Sequence, residues 1–151
     1  MRHVPDPADL AQIEAIKQLV AIRARAIDTG DWETYAECHA PDHVSHGASF
    51  AAPPGRAEMI AALKQAYAGI TSIHCVHSPV IVLSGPGQAQ GTWSMSDRLY
   101  WRERDAEHWA LGWGIYAETY RRDAGEWRFT SRQLHYLRRE LSPGQTRFPA
   151  Q

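Results

Sequence analysis

The stretch TSIHCVHSPVIVLSGPGQAQGTWSMSDRLYW, residues 71–101, decides the fold, because it predicts two long strands joined by a Gly/Pro turn. On both sides of SGPG, apolar residues alternate with polar ones, which is typical of an antiparallel hairpin with one buried face. A histidine and an aspartate, His74 and Asp97, stand on the apolar side of this alternation. The hairpin therefore predicts a sheet that carries ionisable groups on its interior face.

The length of the turn determines which residues of the hairpin face each other. If residues 84–87 form a four-residue loop, Leu83 pairs with Gln88. The same register places His74 directly opposite Asp97, whereas His77 falls on the other face and is expected at the surface. The predicted interior face carries His74, Val76, Ser78, Val80 and Val82 from the first strand and Ala89, Gly91, Trp93, Met95, Asp97, Leu99 and Trp101 from the second.

A buried ionisable pair such as His74 and Asp97 has three ways to avoid a large free-energy cost. The two groups pair with each other, change their protonation state, or contact a wet cavity. The pair is therefore either a structural link between two strands or part of a functional site, and the hairpin alone does not separate these interpretations.

The rest of the chain predicts helices first and strands last. Apolar residues recur at helical spacing over residues 8–27, Gly30 ends that helix, and Asp31 is placed to cap a short second helix. A strand over 43–50 and a third helix over 57–67 follow, and the later strands are predicted at 72–83, 88–101, 109–122 and 127–139. This order predicts an α+β fold in which a curved antiparallel sheet wraps around N-terminal helices.

Composition limits the function classes. The 151 residues predict one domain, 1–151, with its core at about 10–140 and a tail at 141–151. A net charge of -1 gives no basic surface for nucleic acid or an anionic membrane, and no apolar run approaches the ~20 residues of a membrane span. Two cysteines without metal-like spacing fit a cytoplasmic protein, and six Trp and six Tyr suit a small-molecule ligand in an aromatic-lined cavity.

The last hairpin places an arginine on the predicted interior face. With Ala124-Gly125 as a tight turn, Arg132 lies opposite Ala117. Its neighbours on this face are expected to be Trp113, Ile115, Leu134 and Tyr136. An arginine among such neighbours either extends to the rim of the sheet or awaits an anion or a polarised oxygen.

Two further sets of polar residues are candidates for a site. Asp28 stands at the end of the first helix, where the helix dipole disfavours a carboxylate, so it is either simply solvated or functional. His39, His43 and His46 are closely spaced and suit zinc, but no fourth ligand accompanies them and no metal is expected. The sequence contains neither a G-x-S-x-G elbow nor a Gly-rich phosphate loop that opens a helix.

Three segments in this order resemble the SnoaL-like family of the nuclear-transport-factor-two-like superfamily. They are RARAIDTGDWETYAECHAPDHVSH, TSIHCVHSPVI with AQGTWSMSDRLYW, and GIYAETYRRDAGEWRFTSRQL. The resemblance covers nearly the whole chain and implies a cone-shaped α+β barrel with a cavity at its open end. The superfamily includes dehydratases as well as members that only bind ligands or only assemble.

The resemblance also implies site residues. Asp28 and His74 match the carboxylate and imidazole of the lyase dyad, Asp97 matches a second aspartate on the next strand, and Arg132 matches an arginine after the final W-R-F motif. The chain departs from the pattern at Arg23, where the dehydratases carry a tyrosine.

These residues predict a cofactor-independent lyase or isomerase, dehydratase-like, that acts on a small hydrophobic and cyclic molecule. His74 abstracts a proton, Asp28 orients the imidazole, and Asp97 protonates or positions a leaving hydroxyl. Arg132 stabilises a developing anion, and the apolar wall is expected from Trp93, Met95, Trp113 and Tyr136.

The alternative is a non-catalytic domain of the same fold that binds a small molecule or serves in assembly. In either case a homo-oligomer, a dimer or a trimer, is expected through exposed aromatic residues on the outer sheet face. The residues expected there are Tyr100, Tyr116 and Tyr120.

Overall fold

The computed structural model describes residues 5–46 and 54–146. Their elements follow in the order α1 (Pro7–Thr29), α2 (Trp32–Glu37), β1 (His39–His46), α3 (Arg56–Ala66), β2 (Ile70–Gly85), β3 (Gln88–Glu103), β4 (Ala106–Asp123) and β5 (Glu126–Leu141). The strand order in the sheet is β1-β5-β4-β3-β2. β1 runs parallel to β5, and the other neighbouring pairs are antiparallel. The predicted α+β fold is confirmed, and the curved sheet is open rather than a closed barrel.

Local signals in the sequence set the ends of the first two helices. The Asp6 carboxylate accepts a hydrogen bond of 2.8 Å from the backbone N–H of Asp9 at the start of α1. Gly30 ends α1 with φ 69°, a left-handed conformation that glycine adopts without strain. Asp31 caps α2 by accepting from the N–H of Thr34 at 3.1 Å. The predictions for Gly30 and Asp31 are therefore confirmed.

Strand β1 begins earlier than the sequence predicts. It starts at His39, which the sequence places in the second helix, because this residue pairs with Phe129 of β5 in a parallel ladder. Residues 47–50 of the predicted strand lie outside the described residues. The third helix, predicted over 57–67, forms as α3 within one residue of that range.

In the β2–β3 hairpin, His74 lies opposite Asp97 as predicted. The turn, however, is shorter than expected, since Gly85 pairs with Gln88 and only two residues connect the strands. The register shifts between Leu83 and Gly85 and again between His77 and Val80. These two one-residue shifts offset a loop that is two residues shorter than predicted, so the pairing of Leu83 with Gln88 is wrong while that of His74 is right.

The shift after His77 also reverses the faces of the upper half of β2. Ser78, at φ 51°, stands within the shift. Val80 and Val82 are exposed, whereas Ile81 and Leu83 pack against the core. The expectation that Ser78, Val80 and Val82 face the interior is wrong, because one extra residue turns every following side chain to the opposite face.

A similar shift changes the last hairpin. Asp123 pairs with Glu126 as predicted, but the register shifts between Thr119 and Tyr120. As a result, Arg132 lies opposite Glu118 and not opposite Ala117.

The interior face of β4 consequently carries a different set of side chains from the one predicted. Tyr116 and Tyr120 are only 3% and 2% exposed, so their expected place on the outer face is wrong. Trp113 and Ile115 are each 38% exposed and alternate with the buried positions of β4. Trp113 therefore lies on the outer face and forms no part of an interior wall.

The helices pack on the concave side of the sheet in two hydrophobic clusters. The first joins Ile16 and Val20 of α1 to buried residues of β3, β4 and β5. The second joins the end of α1 to α2 and α3 around Tyr35 and Met59. Burial of this apolar surface fixes α1 across the sheet, with its C-terminal turn beside β2. Within the described residues, none of the helices combines the length and hydropathy required to cross a membrane.

Candidate active site

Asp28 and His74 form a pair between the last turn of α1 and strand β2. The Nδ1 atom of His74 lies 2.6 Å from Oδ1 of Asp28, and the backbone N–H of His74 donates to Oδ2 at 2.7 Å. The two side chains are 7% and 20% exposed for His74 and Asp28, respectively. This arrangement assigns the Nδ1 proton to the side of the carboxylate and fixes the plane of the imidazole.

Ser72 is a third member of this group that the sequence analysis missed. Its hydroxyl donates to Oδ1 of Asp28 at 2.8 Å, and the residue is buried. Ser72 precedes His74 by two residues and so shares its face of β2. That alternation is the signal that could have identified it. With these contacts, Asp28 accepts from two side chains and one backbone amide.

The opposite ring nitrogen of His74 is available for a ligand. Its Nε2 atom makes no hydrogen bond to any of the residues that the structure describes. Tyr67 stacks near the imidazole, with ring centroids 6.4 Å apart and an interplanar angle of 29°. A groove of about 420 Å³ between α1 and β2 is lined by Asp28, His74 and Trp93, among others. The imidazole can therefore exchange a proton with a molecule in this space while Asp28 stabilises its cation.

Asp97 faces His74 across the hairpin, but its carboxylate bonds elsewhere. Its Oδ2 atom accepts a hydrogen bond of 2.7 Å from the hydroxyl of Tyr136 on β5. Burial, followed by the charge of Asp97, raises the pKa of Tyr136, which keeps that hydroxyl a donor. The Oδ1 atom of Asp97 is buried and makes no hydrogen bond to the described residues. The structure thus joins Asp97 to Tyr136 and Asp28 to His74.

Gly112 on β4 makes room for the Asp97–Tyr136 contact. A Cβ atom at this position would lie 2.2 Å from Oδ1 of Asp97 and 2.4 Å from a ring carbon of Tyr136. Both distances are far below any van der Waals contact, so only glycine fits here without displacing the carboxylate.

Arg132 is buried inside the sheet and does not reach its rim. Its Nε atom lies 3.1 Å from Oε1 of Glu118, at an angle that makes no hydrogen bond. The guanidinium carbon stands 3.4 Å above the centre of the Tyr116 ring. Glu118 thus balances the charge of Arg132, which stacks on an aromatic face.

Trp93 and Met95 lie on the interior face as predicted, at 4% and 2% exposure. The indole N–H of Trp93 donates to the hydroxyl of Tyr120 at 2.8 Å, and this hydroxyl donates to Oε2 of Glu118 at 2.5 Å. The chain of hydrogen bonds holds the indole in one orientation beside the groove.

Arg23, His39 and His43 form a buried polar cluster at the end of the sheet that contacts α2. Nδ1 of His39 lies 2.6 Å from the carbonyl oxygen of Tyr35, while its Nε2 accepts from Nε of Arg23 at 3.1 Å. The ring nitrogens of His43 contact the carbonyl of Phe129 at 3.2 Å and the hydroxyl of Ser45 at 2.9 Å.

These contacts occupy both nitrogens of each buried histidine. Among the described residues, no group of three or more His, Cys, Asp and Glu side chains is arranged to hold a metal ion. The exposed His46 is thus no partner of His39 and His43 in such a site.

The buried histidines predict a loss of stability in acid. Burial, followed by the charge of Arg23, lowers the pKa of His43 to about 4 and that of His39 well below its usual value. The unfolded chain takes up these protons near pH 6.5, so stability falls as the pH drops from about 6.5 towards 4. For His43 alone the loss is about 3 kcal/mol, and urea unfolding at several pH values measures it.

Two variants give this prediction its controls. His43→Gln should make the fall in unfolding free energy smaller, since glutamine takes up no proton in this range. His77→Gln changes an exposed histidine and should leave the fall unchanged. An equal pH dependence in His43→Gln and in the unmodified protein would contradict the assignment.

The model of the SnoaL-like domain matches residues 8–133 of the chain. Among the curated proteins, no sequence matches the chain. Similar solved structures include a candidate scytalone dehydratase from Novosphingobium aromaticivorans DSM 12444, with 17% identity, coverage of 91% of this chain and 92% of that chain, and a TM-score of 0.78. Another is hexachlorocyclohexane dehydrochlorinase LinA-type3 from Novosphingobium barchaimii LL02, with 14% identity, 90% and 93% coverage, and a TM-score of 0.77.

A third similar structure is Rv3472 from Mycobacterium tuberculosis, a protein of unknown function, with 22% identity, 88% and 77% coverage, and a TM-score of 0.71. At these identities the structural likeness shows a shared fold, which agrees with the three helices and curved sheet described above. Because the domain model spans most of the chain, the protein belongs to the SnoaL-like domain family.

Proposed function

We propose that this protein is a cofactor-independent lyase or isomerase, dehydratase-like, that acts on a small hydrophobic and cyclic molecule. The observation that carries the proposal is the 2.6 Å contact between His74 Nδ1 and Asp28 Oδ1, with the opposite nitrogen left open beside a groove. A base that is oriented by a carboxylate and exposed to a cavity is the arrangement that proton abstraction requires.

The reaction begins at Nε2 of His74, which takes a proton from an acidified C–H bond of the substrate. The electron pair of that bond forms the new double bond, and in a dehydration the C–O bond on the adjacent carbon breaks. Asp97 either protonates the leaving hydroxyl or positions it, and the hydroxyl departs as water. The contact of Tyr136 with Oδ2 of Asp97 leaves Oδ1 free for this purpose.

Other residues support this chemistry from the interior face. Trp93 and Met95 supply apolar surface for a ring, as does the aromatic body of Tyr136. Arg132, paired with Glu118, acts through Tyr116 and holds that ring in place rather than contacting the reacting atoms.

The proposal is tested with a panel of hydroxylated ring compounds, in which dehydration is followed by ultraviolet absorbance of the new conjugated double bond. Conversion of at least one compound by the purified protein is the expected result. Failure of the entire panel, together with binding of the same compounds, would favour a binding domain instead.

Asp28→Asn is expected to lower kcat on a converted compound by about 10²- to 10⁴-fold. An amide places a donor against the Nδ1–H group of His74 and carries no charge to stabilise the imidazole cation. Asp31→Asn is the matched control, because asparagine caps a helix as well as aspartate does and Asp31 is exposed. Unchanged turnover in Asp28→Asn would contradict the role of this carboxylate.

A further inference from the structure

Arg23 on α1 is a buried cation whose partners within the described residues are all neutral. It is 5% exposed. Its Nε donates to His39 at 3.1 Å, and its Nη2 donates to the hydroxyl of Tyr35 at 2.6 Å. The guanidinium also lies over the aromatic rings of Tyr35 and Phe129, at 4.9 Å and 5.5 Å from their centres. Nη1 makes no hydrogen bond to any described residue.

His39 cannot supply the missing negative charge. Its Nδ1 atom donates to the carbonyl of Tyr35, so its Nε2 accepts from Arg23 only as a neutral imidazole. In the part of the chain that the structure describes, no carboxylate lies within ion-pair distance of Arg23. A buried and unbalanced cation costs several kcal/mol, so the fold retains this charge without a compensating anion of its own.

Tyr116 provides a second polar group without a partner in the same interior. It is 3% exposed, and its hydroxyl makes no hydrogen bond to the described residues. Burial raises the pKa of Tyr116, against the opposing charges of Arg132 and Arg23, so the hydroxyl remains a donor. Arg132 already stacks on the Tyr116 ring and pairs with Glu118, which leaves Arg23 as the uncompensated charge near this hydroxyl.

We propose that Arg23 and the Tyr116 hydroxyl form a subsite for a carboxylate group of the ligand. This inference rests on the proposed function, since it assigns a substrate class to the same interior. Arg23 precedes Asp28 by five residues, which is about 7.5 Å along the helix axis. The substrate is then a hydrophobic cyclic carboxylic acid whose carboxylate binds about that far from the carbon that His74 deprotonates. The carboxylate balances the buried guanidinium and accepts from Nη1.

The test compares two probes of the same shape, 2-naphthoate and 2-naphthamide, by isothermal titration calorimetry. The unmodified protein should bind naphthoate at least tenfold more tightly than the amide, because only the acid supplies a negative charge. Equal affinities, or no measurable binding of naphthoate, would overturn the proposal.

Variants then locate the source of the preference. Arg23→Met keeps an unbranched apolar side chain and should abolish the tenfold preference, whereas Arg98→Met removes an exposed charge of the outer face and should retain it. Tyr116→Phe deletes only the hydroxyl and should weaken naphthoate binding several-fold without affecting the amide. This variant also answers the question if Arg23→Met fails to fold. Retention of the full preference in both Arg23→Met and Tyr116→Phe would place the anion elsewhere and overturn the inference.

His74→Gln separates this inference from the proposed function. If Arg23 holds the carboxylate, His74→Gln keeps the naphthoate preference and loses turnover. A preference that disappears in His74→Gln but survives in Arg23→Met would show that the imidazole binds the anion, which overturns the subsite and leaves the lyase proposal standing. A preference that depends on Arg23, with turnover independent of His74, would support the subsite and contradict the lyase mechanism.

Discussion

Replacing His74 with alanine is expected to lower turnover of a converted ring compound by about 10³-fold or more while the fold remains intact. The variant removes the only atom proposed to take the substrate proton. It leaves Asp28 with two of its hydrogen bonds, from the backbone N–H of residue 74 and from the hydroxyl of Ser72. The carboxylate is therefore still satisfied, and no unpaired buried charge destabilises the sheet. Absorbance assays measure the activity, and circular dichroism with thermal unfolding measures the fold.

His77→Ala is the matched control for this variant. His77 lies on the same strand, is exposed, and contacts only the neighbouring Ser78 at 3.1 Å among the described residues. It should retain full turnover. If His74→Ala kept more than a tenth of the activity, the imidazole would not be the base and the proposed mechanism would be wrong.

Gly112→Ala is expected to cause the largest loss of stability, about 3 kcal/mol. The added methyl group would stand 2.2 Å from Oδ1 of Asp97 and 2.4 Å from the Tyr136 ring. Neither group can retreat freely, since each is held by their mutual hydrogen bond of 2.7 Å. For a domain of this length the melting temperature should fall by about 6 to 12 °C. Urea unfolding gives the free energy directly.

A double variant distinguishes this clash from an ordinary loss of glycine flexibility. If the methyl group acts through Asp97, introducing Gly112→Ala into an Asp97→Ala background should cost less than introducing it into the unmodified protein. Equal costs in both backgrounds would mean that the carboxylate is not the group that is displaced.

The fold was predictable where the signal is local and periodic. The spacing of apolar residues and the stop at Gly30 define α1, and strict alternation defines the interior face of β3 with Trp93, Met95 and Asp97. The pairing of His74 with Asp97 was also predicted, although two shifts in register happened to offset a turn that was too long in the prediction. A bulge changes only one residue locally, so alternation on either side of it gives little warning.

The candidate site was harder to predict because its contacts join distant parts of the chain. The shift between Thr119 and Tyr120 placed Arg132 beside Glu118 and turned Trp113 outward, and no Gly or Pro marks that position. The bond between Asp97 and Tyr136 spans 39 residues, and that between Arg23 and His39 spans 16. Such partners depend on how three helices seat on the sheet, which a pattern within one element does not report.

The interruption of β2 at Ser78 and Pro79 also protects the protein from aggregation. β2 is an edge of the sheet, and an uninterrupted edge strand offers a row of free amide and carbonyl groups to any other extended chain. Proline has no amide hydrogen to offer, and the left-handed residue before it bends the strand. Another polypeptide therefore cannot extend the sheet continuously along the flank that carries the exposed Val80 and Val82.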